Sequence, residues 1–169
     1  MKLTREDANR LFDYNKETGI FTWKISVKGS KGKGNIAGTL AHNGYIDVCI
    51  NYKKYGMHRI AFLIETGEVP RCVDHKNGIK SDNRWENLRP ASVAQNSYNY
   101  KGVGSKTGYK NVYYDKRGTN HFYVYLIVNK KRIHGGYYAT PEEGAIRATE
   151  LRNRYHGEFA NHGDKKVDI

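Results

Sequence analysis

The sequence predicts an α+β protein built as two small modules. Thr4 and Thr140 each open a helix-start pattern, short apolar alternations are divided by turn residues, and both patterns lapse in a Gly-, Ser- and Lys-rich stretch near residue 100. The 169 residues suffice for one domain or two small ones. Aromatic residues make up 12%, 14 of them Tyr, which is enough to build small cores and too many for a disordered polybasic chain. Two cysteines, Cys49 and Cys72, exclude a disulfide framework and a four-thiolate zinc site and fit a reducing compartment. With 38% hydrophobic residues and a charged opening, the chain offers neither a membrane span nor a signal peptide. A cytoplasmic protein without membrane contact is expected.

Thr4 can cap a first helix, with Glu6 and Asp7 in its first turn and Ala8, Leu11 and Phe12 at helical spacing. That helix is expected to run to about Asn15. After Thr18 and Gly19, residues 20–25 read as a strand, and the loop 28–34 has no apolar anchor. Its lysines and glycines suit a phosphate backbone as well as a solvated hairpin tip. Asn43-Gly44 signals a turn before residues 45–50, where Ile46, Val48 and Ile50 alternate with more polar positions as in a half-buried strand. A turn at residues 52–54 leads into an apolar helix from Met57, stopped by Gly67 with Pro70 beyond.

Residues 71–75 form a short strand that delivers Asp74 and His75 side by side. Adjacent strand positions face opposite ways, so both serve one site only if the strand ends there, and Asn77-Gly78 supplies that turn. A second polar turn, Ser81-Asp82-Asn83, precedes a strand around Leu88 that Pro90 ends. Ser92 and Gln95 then make a capping box for a helix carrying Asn96. Taken singly, Asp74, Asn77, Asp82, Asn83 and Asn87 are ordinary turn and cap residues.

Taken in order, His58-Arg59, Val73-Asp74-His75, Gly78, Asp82-Asn83, Asn87-Leu88-Arg89 and Asn96 resemble the HNH nuclease family in its phage homing form. The resemblance covers about 40 residues. It implies a beta-beta-alpha-metal unit in which Asp74 and Asn96 bind one divalent cation, His75 is the general base and Asn87 holds the loop together. Asn96 stands where many members have His, which favours magnesium or manganese. Phosphodiester hydrolysis needs a deprotonated water and positive charge near the reacting phosphate, which a neutral imidazole and a hard, oxygen-bound cation provide. Arg59 and Arg89 are expected to contact phosphate. His58 reads equally as a buried helix-start histidine and stays outside the catalytic set.

Each half of the chain carries half of the charge of +12, and within the second half residues 101–138 hold eight Lys and Arg against Asp115 alone, so its basic charge is concentrated in one part alongside Tyr. Such a footprint points to nucleic acid. Three antiparallel strands are expected at 109–114, 122–128 and 132–134. In the middle one Phe122, Val124, Leu126 and Val128 share the core face, and Tyr123, Tyr125 and Ile127 the other. Thr140-Pro141-Glu142-Glu143 starts a helix whose stripe is Ala145, Ala148, Leu151 and Tyr155. Three strands, one helix and this cap resemble the APETALA/ethylene-response-factor DNA-binding domain from Tyr109 to about His162. That resemblance implies DNA docking through the sheet face away from the helix and singles out Lys110, Tyr113, Arg117, Tyr123, Tyr125, Arg132 and His134. For the tyrosines, cross-strand stabilisation is an equal alternative.

The expected layout is a nuclease domain at 1–98, a linker at 99–108, a DNA-binding domain at 109–163 and a tail at 164–169. The expected activity is metal-dependent, site-specific cleavage of double-stranded DNA, one strand nicked by a monomer with one Mg2+ or Mn2+. A dimer is the alternative assembly. The competing readings are a non-catalytic DNA-binding regulator and a dimeric restriction endonuclease of the same fold.

Overall fold

A computed structural model of the chain describes residues 3–26, 28, 32–101, 106–117 and 121–163. Parts of the expected loop (29–31) and linker (102–105), and the tail at 164–169, lie outside the described residues. Helices and small antiparallel sheets alternate in an α+β chain. The chain divides into two compact units, Met1–Ser92 and Val93–Ile169.

In the first unit, helix α1 (Arg5–Leu11) opens with a complete capping box between Thr4 and Asp7. It ends four residues before the expected Asn15. Phe12–Asn15 is instead strand β1, because its residues pair with β2 (Ile20–Trp23) from Phe12 opposite Trp23 to Asn15 opposite Ile20. Phe12 can serve either period, and burial against Phe21 and Trp23 favours the strand. Strands β3 (Thr39–Leu40), β4 (Ile46–Ile50) and β5 (Lys53–Gly56) make a second sheet. Helix α2 (Met57–Thr66) follows directly and is ended by Gly67, whose left-handed backbone (φ +82°) lets its N–H reach the Leu63 carbonyl. Strands β6 (Cys72–His75) and β7 (Leu88–Ala91) form an antiparallel pair with Asp74 opposite Arg89 and His75 opposite Leu88. One core gathers Leu11, Phe12, Phe21, Trp23, Met57, Ile60, Phe62, Val73 and Leu88. At about 1.5–3 kcal/mol for each large apolar side chain buried, this core is what holds α2 against α1 and against strands β4 and β5.

The second unit begins with helix α3 (Val93–Tyr98) and continues as strands β8 (Val112–Tyr114), β9 (Phe122–Val128) and β10 (Lys131–Tyr138), in sheet order β10-β9-β8, then helix α4 (Pro141–His156). The first strand of this sheet is shorter than the expected 109–114. Asn111 takes a left-handed backbone (φ +68°) and Tyr109 is committed to a turn with Val112. Tyr109, Val112, Val124, Leu126, Ala145, Ala148 and Leu151 form the core between sheet and α4. Gly135 and Gly144 allow the close approach: a Cβ on Gly135 would lie 2.6 Å from Val124 and 2.9 Å from Leu151, and one on Gly144 would lie 3.1 Å from Val112. Tyr155 lies outside this core and stays partly exposed, whereas Arg152 and His156 of the same helix are buried.

Candidate active site

Strand β6 ends at His75, and the Gly78 N–H closes a turn onto the His75 carbonyl. Asp74 and His75 are nevertheless both buried, 3% and 4% exposed, because each face of the short β6–β7 pair is covered. Asp74 accepts from Arg89 Nε and Nη2, both 2.8 Å from the same Oδ2. Arg89 is itself only 8% exposed, so its guanidinium faces Asp74 rather than a solvent-side phosphate as its sequence position had suggested. His75 Nε2 lies 3.3 Å from Oδ1 of Asn83.

The loop joining β6 to β7 is held by Asn87, whose side chain accepts from the Asn77 N–H (3.0 Å) and donates to the Asp82 carbonyl (2.8 Å). Asp82 in turn binds Arg84 and Asn77, and the hydrogen bonds from Arg84 hold its carboxyl down at about 2. Asn77, Asp82, Arg84 and Asn87 thus cross-brace the loop that follows His75.

Burial lowers the His75 pKa, against the opposing pull of the Asn83 hydrogen bond and the Asp74 charge. His58, at the start of α2, packs its ring 5.3 Å from that of His75 and 4.9 Å from Tyr45, and Tyr45 is 5.8 Å from His75. Burial, and then the charge on His75, push His58 down to about 3. Both imidazoles are thus neutral at neutral pH, the state in which a histidine can accept a proton. Lys80 reaches over the Tyr45 ring at 5.0 Å and donates to the Asn43 carbonyl. Tyr45 and Lys80 were not singled out in the sequence, and Asn83 entered it as part of the Asp82-Asn83 motif without a role of its own. Arg59 reaches the Arg71 carbonyl with Nη1 (3.3 Å).

Among the described residues no group of three or more His, Cys, Asp or Glu side chains is gathered as for a metal ion. Within the motif the family resemblance assigns Asp74 to a cation, while the Asp82 carboxylate is taken up by Arg84 and Asn77. A carboxylate joined by amide oxygens is a donor set that fits a hard divalent ion. Asn96 stands half-buried on α3, in the second unit.

The second unit carries its own candidate surface. On the face of its sheet away from α4, Tyr113 stacks on Tyr125 (4.5 Å) and Tyr123 (5.5 Å), and Arg132 lies over Tyr125 at 3.8 Å. Tyr137 extends the row, 6.1 Å from Tyr123 and 5.5 Å from His134. Tyr137 was missed because a register shift between His134 and Gly136 breaks the alternation. Arg117 is exposed and paired with Asp115. Lys110 does not join this face: its ammonium donates to the carbonyls of Tyr98, Tyr100 and Asn161 at 2.6–3.0 Å.

Residues 55–98 match the HNH endonuclease family. The match spans α2, the β6–β7 pair and α3, and it supports a nuclease that acts on DNA. HNH nucleases generally use a divalent metal, so the hard-oxygen character of the donor set agrees with the family. No curated protein and no solved structure matches the chain. No helix among the described residues is long and apolar enough to cross a membrane.

Proposed function

We propose that the protein is a metal-dependent, homing-type HNH endonuclease that nicks one strand of double-stranded DNA as a monomer. Its beta-beta-alpha-metal unit would lie in the segment that matches the HNH family, and its second half would be an APETALA-like DNA-docking domain. The observation that carries this reading is the buried His75 next to the Arg89-held carboxylate of Asp74, inside the segment that matches the HNH family.

In this reading Asp74 and Asn96 hold one Mg2+ or Mn2+, which when bound supplies positive charge beside the reacting phosphate. His75 removes the proton from the attacking water, the water oxygen bonds to phosphorus, and the bond to the leaving oxygen breaks. Arg89 orients the Asp74 carboxylate through two N–H groups on Oδ2. Asn87 keeps the loop in the shape that holds His75. Arg59 and Lys80 would serve flanking phosphates, and Arg117, Arg132, His134 and the Tyr113, Tyr123, Tyr125 and Tyr137 rings would form the docking face. Neutralising phosphate charge with such residues makes binding steeply salt-dependent.

Supercoiled plasmid carrying candidate target DNA, incubated with magnesium, manganese or EDTA, tests the reading. Wild-type protein is expected to form open circles only with metal, and His75→Ala to lower the rate by about 100- to 10,000-fold. Asp74→Ala is expected to abolish the metal response. Salt-sensitive binding without cleavage by the wild type would instead establish a DNA-binding regulator, and paired cuts by a dimer a restriction-type enzyme.

A further inference from the structure

We propose that Asn83 is the positioning residue for the His75 imidazole, and that the β1–β2 hairpin holds Asn83 in place. The inference rests on the reading of His75 as the base and adds what sets its tautomer.

Asn83 is 1% exposed, and its Oδ1 faces His75 Nε2 at 3.3 Å. An amide oxygen only accepts, so in this arrangement Nε2 carries the hydrogen and the lone pair lies on Nδ1. Turning the amide over would present Nδ2 to the ring and move the lone pair to Nε2, so the amide's orientation decides which nitrogen is basic. Asn83 Nδ2 is buried without a hydrogen-bond partner among the described residues. An apolar side chain would avoid that cost, so packing alone does not account for an Asn at this position.

The Asn83 backbone is fixed from two sides. From β1, Tyr14 Oη donates to the Asn83 carbonyl (2.7 Å), and just beyond β1 the Lys16 carbonyl accepts from the Trp85 N–H (2.9 Å). In the β1–β2 turn, Gly19 has φ +74°, and a Cβ there would sit 2.5 Å from Arg84 N and 2.6 Å from Asn83 C. A side chain at Gly19 is therefore excluded by conformation and by space. From the other side Asn87 Nδ2 holds the Asp82 carbonyl. A first-unit element that contributes nothing to the HNH motif thus sets the angle of its histidine. Partners of this kind fix ring orientation around reacting groups, and losing one costs about 10- to 100-fold.

The test compares full-length wild type with Asn83→Leu, Asn83→Asp and Tyr14→Phe, by steady-state nicking and by 15N NMR of the His75 ring. Asn83→Leu is expected to lower kcat about 10- to 100-fold with KM within about two-fold, and to shift the ring nitrogens toward a mixture of tautomers. Asn83→Asp keeps the acceptor and is expected to keep the wild-type tautomer. Tyr14→Phe removes one hydroxyl without changing shape and is expected to produce a smaller change in the same direction, so it serves should Asn83→Leu not fold. Unchanged kcat and unchanged His75 nitrogens in the folded variants would overturn the proposal. A wild type that cuts no DNA would remove the nuclease reading, while the 15N comparison would still decide whether Asn83 sets the ring.

Discussion

Arg89 meets Asp74 through two N–H groups on one carboxylate oxygen, with both side chains almost wholly inside the first unit. Taking two charges out of water is tolerable only when they stay together, so removing one member is far more damaging than replacing both. Arg89→Met is expected to destabilise the first unit by about 3–5 kcal/mol, read as a lower urea midpoint; a loss below about 1 kcal/mol would mean the pair is solvent-screened after all. Asp74, His75 and Asn87 were legible because each belongs to a motif whose spacing survives in the linear order. The Arg89 and Asn83 contacts were not legible, for different reasons. Arg89 meets Asp74 through strand pairing across a fourteen-residue connection whose register only the fold determines. Asn83 reaches His75 through a loop whose path is set by a hairpin some 65 residues earlier in the chain.

Among the elements, α2, β6, β7, α4 and the central strand β9 were all readable, because caps, terminal glycines and two-residue alternation are local signals. Four elements differ in extent: the first helix at 12–15 and the strand at 109–111 gave way to tertiary pairing and a left-handed Asn, the strand expected at 20–25 stops at Trp23, and the one expected at 132–134 runs from Lys131 to Tyr138. The start of the second unit also hides a titration. Lys110 is held by three carbonyls, and burial, helped by the charge of Arg152, lowers its pKa to about 8. The unfolded chain holds that proton up to its ordinary value of 10.5, so between these limits the unfolded state binds more protons and stability rises with pH. The gain should be visible from pH 8 to about 10, above which tyrosines such as Tyr113, raised to about 12 by burial, act in the opposite direction. Thermal melts of the wild type are expected to show that rise and Lys110→Met to lose it; a flat wild-type profile would contradict the buried state of the amine.

Across the whole molecule, a formal charge of +12 predicts attraction to any polyanion, and only the slope of affinity against salt identifies which residues meet phosphate. Removing Arg132 by Arg132→Gln is expected to reduce the slope of log K against log salt by about 1, measured by fluorescence anisotropy on duplex DNA. An unchanged slope would leave Arg132 as a partner of Tyr125 alone. What this surface presents depends on a single extra residue in β10. Before the irregularity the even-numbered residues, Arg132 and His134, point to the aromatic side; after it the odd-numbered Tyr137 does, and Tyr138 packs with the core. The extra residue is a phase shifter, with Gly135 and Gly136 small enough to absorb it against Val124. Strict alternation of these same residues would instead turn Tyr137 inward against α4 and present Tyr138 in its place, whereas deleting Gly135 would take out the extra residue and leave Tyr137 on the aromatic side. The room that the two glycines leave for the extra residue therefore decides which ring this face carries.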